Sequence, residues 1–562
     1  MLALSSCNKD DVIEENSPVA PVITLDSETG IYTVKSGREL TISPVYEHAD
    51  KALYVWSVDG KIVGDEPSLV FREEKVGEVY VQLSVSTRYG TATEELRVDV
   101  VALEIPTISL PGAGSGYTIL TGSELALTPS VAETSIPTTC SWSVNGAEVS
   151  TAKEYVFSSA DAGEYTLKFT ARNEDGEDSL EFPVKVCTFD EMPFGWTFGQ
   201  TEFNLSSGRT IRLMPLDITN AFDAVYTWTV DGRQVQQDTD PAFAFTSSAE
   251  GRHEVTVTMK NTAVTVSQSL TVNVCPAAGK YYRAKSGASS ADWNKVYAFL
   301  PAPGQFVNEN YTAATMDEAC AYAESQMNKN TYVSLGGFGG YIVVGFDHSI
   351  DNSGSYDLAI TGNSFEGSSE PGIVWVMQDE NGDGLPNDTW YELKGSESGK
   401  AETIQDYAVT YYRPRGIGME VLWIDNRGDS GSVDYLGSFH HQDSYYPTWV
   451  ATDSYTLRGT CLKARNYDQS GNGSYWVNAA YDWGYADNFS PIDRLTDDPN
   501  AGAGVNANHF RISDAVTYDG KPANLKYIDF VKVQTGVNAK SGWLGELSTE
   551  IFGFYDYSIK KK

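Results

Sequence analysis

Three copies of one short motif decide the fold of the N-terminal half of the chain: Trp56-Ser57-Val58-Asp59-Gly60, Trp142-Ser143-Val144-Asn145-Gly146 and Trp228-Thr229-Val230-Asp231-Gly232. The tryptophans follow one another at intervals of 86 residues. Each motif is followed by a phenylalanine and then by a glycine that begins an alternating segment; these residues are Phe71, Phe157 and Phe245, and Gly77, Gly163 and Gly251. Landmarks that keep their order through three copies predict a tandem repeat.

The residue pattern of one repeat predicts a β-sandwich. Strict alternation of polar and apolar residues is typical of strands with one buried face. Asp or Asn followed by Gly predicts a type I′ hairpin turn, and the preceding tryptophan is expected in the core. Its even spacing favours this role over sugar binding. The repeats resemble PKD-like or Ig-like modules, which usually hold another domain away from the membrane, and we assign them to residues 21–104, 105–187 and 188–275.

The first residues carry two signals that predict where the protein is localised. Leu4-Ser5-Ser6-Cys7 resembles a bacterial lipobox, in which the cysteine receives a diacylglycerol. Asn8-Lys9-Asp10-Asp11 resembles the signal that sends Bacteroidetes lipoproteins to the outer face of the outer membrane. These resemblances imply that residues 1–6 are the remnant of a signal peptide. They also imply that residues 7–20 are a flexible tether lipidated at Cys7, and that the protein is anchored in the outer membrane and exposed at the cell surface.

Charge and cysteine content exclude several functions. The formal net charge is −36 and the pI is about 4.4, which argues against nucleic acid or an anionic membrane as a partner. No stretch approaches 18 consecutive apolar residues, so the lipid is the expected membrane attachment. Five cysteines remain beyond Cys7, and an odd number without Cys-x-x-Cys spacing predicts neither a disulfide framework nor a zinc site.

The composition changes at Cys275-Pro276, and residues 276–562 form the predicted C-terminal domain. Short strands separated by Gly, Asn and Asp turns indicate a larger, jelly-roll-like β-sandwich, with a single helix over Met316–Asn328. The glycine-rich stretch Ser334–Gly340 precedes an apolar strand, Tyr341–Phe346, and not a helix. We therefore interpret its glycines as sites of close backbone packing rather than as a phosphate loop. The predicted fold of the whole chain is all-β.

One acidic loop has the spacing of a calcium site. In the stretch 379–388 oxygen-bearing side chains occupy positions 1, 3 and 5, with Gly384 at position 6. Trp390 replaces the glutamate of an EF-hand at position 12, so Asp388 or Glu392 would have to complete the shell. A solvated turn between strands Ile373–Met377 and Trp390–Leu393 is the alternative. The candidate ligands of a structural calcium ion are Asp379, Asn381, Asp383 and Asp388.

Motifs of catalysis are missing from the sequence, which contains neither Gly-x-Ser-x-Gly nor His-Glu-x-x-His. Among its many carboxylates no pair stands out for glycoside hydrolysis. His440 and His441 are adjacent, and neighbouring residues of a strand face opposite ways, which favours a hydrogen-bonded loop pair over a shared metal. We therefore predict that the protein is not an enzyme.

Aromatic side chains interleaved with polar ones are concentrated between Trp423 and Asn488. Rigid aromatic rings beside amide and hydroxyl groups suit a large amphipathic ligand. About half of these aromatics are expected in the core, and those beside Gly and Asn are expected to be exposed. The candidate ligand-binding residues are Trp423, Arg427, Phe439, His440, His441, Tyr445, Trp449, Tyr467, Tyr475, Trp476 and Trp483.

Several stretches of the C-terminal domain carry a family likeness. They are 335–347, Gly362–Phe365, Glu370–Val376, Trp390–Leu393, Gly484–Asn488, Ile512–Ala515, Ile528–Gln534 and Gly545–Ile551. Together they resemble the Bacteroidetes surface lipoproteins that bind vitamin B12 (BtuH-type). The resemblance implies a non-catalytic protein that binds cobalamin and passes it to a TonB-dependent outer-membrane transporter. Aromatic and aliphatic groups would contact the corrin plane, and Asn, Gln and Arg its amides; ligation of cobalt by His440 or His441 is left open.

Two other functions stay open from the residues alone. A surface glycan-binding lipoprotein would use Trp and Tyr as stacking platforms, with calcium holding a loop. A secreted hydrolase has the least support because a catalytic constellation is missing. A cleft wide enough for a macrocycle favours the corrinoid, whereas one flat strip of Trp and Tyr favours the glycan.

Overall fold

A computed structural model describes residues 19–495 and 507–560. The predicted signal remnant, Cys7 and nearly all of the tether therefore lie outside the described residues. The chain divides into two compact units. The first contains the first sandwich together with Glu133–Thr139 and Arg172–Asp178, and the second contains the rest of the chain.

The first repeat folds as a β-sandwich. Its strands are β1 Val22–Thr24, β2 Ile31–Lys35, β3 Glu39–Ile42, β4 Val45–Glu47, β5 Leu53–Val58, β6 Lys61–Gly64, β7 Leu69–Arg72, β8 Gly77–Thr87 and β9 Gly90–Val101. One sheet has the order β2-β9-β8-β5-β6, with β2 parallel to β9. The pairs β3–β7 and β1–β4 complete the fold.

The second and third repeats have the same strand order. The second consists of β10 Ile108–Ser109, β11 Tyr117–Leu120, β12 Glu124–Leu127, β13 Ser130–Val131, β14 Thr139–Val144, β15 Ala147–Ser150, β16 Tyr155–Ser158, β17 Gly163–Arg172 and β18 Glu177–Cys187. The third consists of β19 Gly195–Thr197, β20 Glu202–Ser206, β21 Thr210–Leu213, β22 Leu216–Thr219, β23 Val225–Val230, β24 Arg233–Asp238, β25 Phe243–Thr246, β26 Gly251–Lys260 and β27 Thr265–Cys275, preceded by the 3-10 turn Phe189–Glu191. Their five-stranded sheets run β11-β18-β17-β14-β15 and β20-β27-β26-β23-β24.

The repeated motif has the predicted role in all three sandwiches. Each tryptophan is completely buried, and its indole N–H donates to a backbone carbonyl; the donor and acceptor pairs are Trp56 and Glu66, Trp142 and Lys153, and Trp228 and Pro241. Both turn residues have positive φ, from 47° to 49° at Asp or Asn and from 75° to 82° at Gly. Positive φ at both central residues is the signature of the type I′ turn, so this prediction is confirmed.

The C-terminal domain is built from three sheets and a hairpin. Its strands are β28 Lys295–Leu300, β29 Val333–Ser334, β30 Tyr341–Asp351, β31 Leu358–Gly362, β32 Gly372–Met377, β33 Trp390–Leu393, β34 Ile404–Tyr412, β35 Val421–Asp425, β36 Ser430–Val433, β37 Ser454–Cys461, β38 Asn466–Asp468, β39 Trp476–Asn478, β40 Arg494–Leu495, β41 Ala507–Phe510, β42 Ala515–Val516, β43 Tyr527–Thr535 and β44 Glu550–Asp556. The helices are α1 Met316–Met327 and α2 Tyr557–Lys560, with 3-10 turns at Ile512–Asp514 and Gly542–Leu544.

Two of these sheets enclose the main core. The six-stranded sheet β28-β30-β43-β32-β33-β42 and the five-stranded sheet β29-β44-β31-β41-β40 contribute buried aliphatic residues to one cluster, and α1 covers it. Thr315 caps the N-terminus of the helix, and its side chain accepts a hydrogen bond from Glu318 N. The all-β prediction and the predicted helix are confirmed. The separate four-stranded sheet β36-β35-β34-β37 was not anticipated, and it has a core of its own.

The glycine-rich stretch packs backbone against backbone, as predicted. A Cβ atom on Gly340 would lie 1.8 Å from Leu335 O, and one on Gly336 would lie 2.0 Å from Ala302 O. The five cysteines of the described residues are free and buried or half-buried. Neither helix in the described part of the chain is long and apolar enough to cross a membrane.

Candidate functional site

A cleft of about 1440 Å³ opens between the third sandwich and the C-terminal domain, within the second compact unit. The sandwich contributes apolar residues from β20 to β22 and the segment after β24, namely Phe203, Ile211, Met214, Leu216, Ile218 and Pro241. The C-terminal domain contributes the outer face of its six-stranded sheet and parts of β34 and β37. Four amide side chains also line the cleft, those of Gln200, Asn387, Gln405 and Asn426.

Three adjacent strands place a tryptophan between a lysine and a glutamate in the wall of the cleft. Trp375 of β32 is the direct cross-strand partner of Lys532 on β43 and of Glu392 on β33. Cross-strand partners project from the same face of a sheet. The Lys532 ammonium lies 4.8 Å from the ring centroid of Trp375 and 5.3 Å from that of Trp390. This amine is therefore held by two aromatic faces.

The two ionisable groups of this row are perturbed by burial. Burial lowers the pKa of the Lys532 ammonium to about 8, although the Glu392 carboxylate opposes this. Burial also raises the pKa of Glu392 to about 7, although a 2.5 Å hydrogen bond from Thr460 Oγ1 stabilises its charged form. The pKa values of both groups therefore lie close to neutral pH, and perturbed groups of this kind are common at functional sites.

Ion pairs between the third sandwich and the C-terminal domain border the cleft. Arg212 lies 2.9 Å from Asp406, and its guanidinium lies 3.5 Å from the ring centroid of Tyr518. Asp217 of the sandwich pairs with Arg458 of the C-terminal domain. These contacts connect the two walls at the level of the cleft, so its width depends on them.

A further connection between these two domains is more deeply buried. Arg209 donates a 2.6 Å hydrogen bond to Gln378 Oε1 and lies 3.4 Å from Glu380 Oε1. The side chain of Glu380 is 1% exposed, compared with 41% for Asp406 in the pair that borders the cleft. Removing Arg209 would therefore leave a buried carboxylate without its cation.

None of the eleven predicted ligand-binding residues lines this cleft. Tyr445 is completely buried beneath the four-stranded sheet, where its hydroxyl donates to His440 O and accepts from Leu436 N. Its side chain is not available to a ligand, and we correct that prediction. Trp449 is half-buried and stacks on Phe299 against the main core, with ring centroids 6.3 Å apart.

Other predicted aromatics are half-buried by local packing. Trp423 lies across Gly431 on the neighbouring strand, where a Cβ atom would come 2.5 Å from its ring. The backbone of Gly542 approaches the indole of Trp476 in the same way. Trp483 is half-buried, and its carbonyl oxygen accepts a hydrogen bond from Ser396 N. Only part of each ring therefore reaches solvent.

Several predicted residues lie on the surface outside the cleft. Tyr467 and Tyr475 on the β38–β39 hairpin are exposed, as is Arg427 in the β35–β36 turn. Phe439 is 63% exposed, and its ring centroid lies 6.2 Å from that of Trp543, which is also exposed. The prediction that they bind a ligand remains open.

The histidine pair is divided by its surroundings. His440 Nδ1 lies 2.6 Å from Glu309 Oε1, and its ring meets Phe306 edge to face. His441 is exposed. The two rings thus lie in different surroundings, and ligation of cobalt by either ring stays a prediction.

The predicted calcium loop is closed by its own backbone. Asp379 accepts hydrogen bonds from Gly382 N at 2.7 Å and Gly384 N at 3.1 Å, and Asp383 accepts one from Leu385 N at 2.8 Å. Each of these oxygens keeps a second lone pair. Asp388 Oδ1 is buried without a hydrogen-bond partner in the described residues, and burial raises the pKa of this carboxyl to about 7. The donors, with Asn381, are all oxygens of the kind that calcium binds, and the ion itself stays a prediction.

Comparison with known proteins bears on the N-terminal half. A PKD-like domain model matches residues 20–87 and 105–173. No curated protein matches the chain. Among solved structures, fibronectin(III)-like modules of Clostridium thermocellum CbhA are 15% identical, with 32% of this chain and all of that chain covered and a TM-score of 0.17.

Two further solved structures are tandem arrays. The three N-terminal domains of the bacteriophage RB49 outer capsid protein Hoc are 12% identical, with coverage of 46% and 100% and a TM-score of 0.21. The titin I-band fragment I67–I69 is 12% identical, with coverage of 46% and 98% and a TM-score of 0.20. At these scores the likeness says nothing about function. The family match and the shared strand order show that the first two repeats are PKD-like, Ig-like domains and that the third is a sandwich of the same topology.

Proposed function

We propose that the protein is a non-catalytic cell-surface lipoprotein that binds a large amphipathic molecule, a corrinoid such as cobalamin, in the cleft between its third sandwich and its C-terminal domain. A lipid on Cys7 anchors it in the outer membrane, and the sandwiches hold the C-terminal domain away from the surface. The bound ligand passes from there to a TonB-dependent transporter.

The cleft itself carries this proposal. Sites for drug-sized ligands usually measure about 300–1,000 Å³, so a cleft of about 1440 Å³ suits a larger ligand. Trp375 and Trp390 offer aromatic faces to a flat macrocycle, and the amides of Gln405 and Asn426 suit the amide side chains of a corrin. Neither contact requires a reactive side chain, which agrees with the lack of a catalytic motif.

Calorimetric titration of the full chain with cyanocobalamin tests the proposal. We expect binding at micromolar ligand, and Trp375→Ala and Trp390→Ala should each weaken it at least about tenfold, a loss of about 1.4 kcal/mol. Trp543→Ala, an exposed tryptophan outside the cleft, is the matched control and should bind as the wild type does. No heat and no change in the cobalamin spectrum with the wild type would contradict the corrinoid assignment.

A glycan is the second candidate, and the exposed rings of Phe439 and Trp543 favour it. Both rings lie outside the cleft walls, and their planes are tilted by 42°, so they form two separate stacking surfaces rather than one flat strip. If the ligand is a glycan, Trp543→Ala should abolish retention on a polysaccharide affinity gel, while Trp375→Ala should leave it intact. The opposite pattern in the two variants would exclude this platform.

A further inference from the structure

Three carboxylates from distant parts of the C-terminal domain meet at one point. Glu370 precedes β32, Asp487 lies in the segment between β39 and β40, and Glu550 begins β44. One oxygen of each lies within 4.8 Å of the others. Asp487 and Glu550 are buried, whereas Glu370 is half-buried and is the most exposed of the three residues. The three residues belong to three of the stretches that resemble surface lipoproteins, but their meeting is a property of the fold.

The hydrogen bonds of the cluster leave one oxygen without a donor. Asp487 accepts from Asn363 N at 2.5 Å and from Glu550 N at 2.8 Å, which favours its charged form. Glu550 Oε1 accepts from Ser548 Oγ at 2.8 Å. Glu550 Oε2 receives no hydrogen bond from an N–H or alcohol donor in the described part of the chain, although the residue is only 2% exposed; the carboxyl group of Glu370 lies within hydrogen-bonding reach of Glu550. A buried carboxylate oxygen without a donor needs a partner.

No side-chain cation supplies that partner. Among residues 19–495 and 507–560, no Lys, Arg or His forms an ion pair with any of the three carboxylates, so their mutual repulsion is uncompensated. Burial raises the pKa of Glu370 to about 6, and burial together with the neighbouring carboxylates raises those of Asp487 and Glu550. A cation or a proton shared by the carboxylates would relieve this repulsion.

We propose that Glu370, Asp487 and Glu550 bind a divalent cation, calcium, which enters past Glu370 and draws its remaining ligands from water. Calcium binds oxygen at about 2.4 Å, so two oxygens on one ion can be at most about 4.8 Å apart, and the three carboxylate oxygens meet this requirement. The ligands are carboxylates without histidine or cysteine, a set that suits calcium or magnesium rather than zinc or copper. The shorter bonds of magnesium would require a tighter cluster.

The ion would join the residues before β32, the segment between β39 and β40, and the start of β44, and a 3.0 Å backbone hydrogen bond from Glu370 N to Asp487 O already connects the first two. Thr549 Oγ1 donates to Glu370 O at 2.9 Å, and Asp487 receives the backbone N–H of Asn363, so the same segments are already in contact. A cation here would hold the start of β32, the strand that carries Trp375, against β44. This role is independent of the predicted calcium loop at 379–388 and of any ligand in the cleft.

Titration of chelator-treated full-length protein with CaCl₂, at pH 7.5, tests the site. We expect the wild type to bind calcium and to melt at a higher temperature when it is added. Glu550→Gln and Asp487→Asn should each lose one equivalent of calcium and the part of the melting shift that depends on it. Asp383→Asn, in the 379–388 loop, should retain this equivalent, and Glu366→Gln, an exposed neighbour of Glu370, should behave as the wild type does.

Two outcomes would overturn the proposal. One is that the wild type takes up no calcium; the other is that Glu550→Gln and Asp487→Asn bind as much as the wild type. Glu370→Gln is a second variant that we expect to fold, because Glu370 is half-buried and glutamine has nearly the same shape as glutamate. A folded Glu370→Gln protein that melts higher than the wild type without calcium, and that gains nothing from calcium, supports the site. Full calcium stabilisation of that variant would count against it.

Discussion

The ammonium group of Lys532 lies 4.8 Å from the ring centroid of Trp375, its direct cross-strand partner. Burial lowers the pKa of this lysine from 10.5 to about 8. Between pH 8 and 10.5 the unfolded state therefore binds more protons than the folded state, so the free energy of unfolding rises with pH across that window. Below pH 8 the folded protein bears the whole cost of the buried charge.

The substitution Lys532→Met tests whether the buried charge of this lysine lowers the stability of the folded protein. Methionine keeps a flexible apolar chain between the two tryptophans and removes the charge. We expect the variant to melt at least as high as the wild type at pH 7, with the difference shrinking as the pH approaches 10.5. Lys463→Met, at a side chain 70% exposed, should change little. A lower melting temperature of Lys532→Met at pH 7 would mean that the cation–π contacts, worth about 0.5–2 kcal/mol, outweigh the cost of burial.

For Glu546 we expect the opposite dependence of the free energy of unfolding on pH. Burial raises the pKa of this carboxyl from 4.5 to about 8, and its Oε1 accepts a 2.8 Å hydrogen bond from Gln305 N. The folded state binds more protons between pH 4.5 and 8, so this residue lowers the free energy of unfolding as the pH rises through that window. Glu546→Gln keeps the acceptor and cannot ionise.

We expect Glu546→Gln to match the wild type at pH 4 and to exceed its stability at pH 8 by at least about 1 kcal/mol, since one pKa unit corresponds to about 1.4 kcal/mol. Urea denaturation at both pH values measures the difference. Glu148→Gln, at an exposed position, should show no such dependence. Equal stabilities of Glu546→Gln and the wild type at pH 8 would contradict the raised pKa of Glu546.

We expect the loss of one partner from the buried pair Arg209–Glu380 to lower the free energy of unfolding. Glu380 is 1% exposed, so Arg209→Met leaves a buried carboxyl without its cation and should destabilise the protein by about 3 kcal/mol at pH 7. Arg209→Met combined with Glu380→Gln should recover most of the loss. The exposed pair between Arg72 and Glu74 is the control, and Arg72→Met should cost less than about 1 kcal/mol. Similar losses of stability in Arg209→Met and Arg72→Met would contradict the prediction that the buried pair is the more costly one to break.

The repeats were predictable because their determinants are local. Asp231-Gly232 specifies a turn by its own backbone preferences, and alternation around Trp228 specifies which face is buried. The helix over Met316–Met327 also has a local determinant, its N-cap residue Thr315. Such features need no knowledge of the rest of the molecule.

The cleft was not predictable because it depends on which face of a buried strand meets another domain. Trp375 stands in the continuous apolar run Ile373–Met377, where periodicity does not distinguish one face from the other. Lys532, the charged residue between Val531 and Val533, was the one local sign of an outward face. Tyr445 was wrongly predicted to be accessible to a ligand. Its neighbours in the sequence are polar loop residues, but its own ring is buried in the core of the four-stranded sheet.

Two glycines should respond differently to the same change. Gly146 has φ of +82° and open space around its missing Cβ, so Gly146→Ala should cost only the conformational penalty of about 1–2 kcal/mol. At Gly340 a Cβ would lie 1.8 Å from Leu335 O and 2.3 Å from Ala302 N, and backbone atoms cannot rotate away. Gly340→Ala should therefore cost more than about 4 kcal/mol and reduce the yield of folded protein. Calorimetric melting of both variants checks this order, and a Gly340→Ala protein that melts like Gly146→Ala would disprove the close approach.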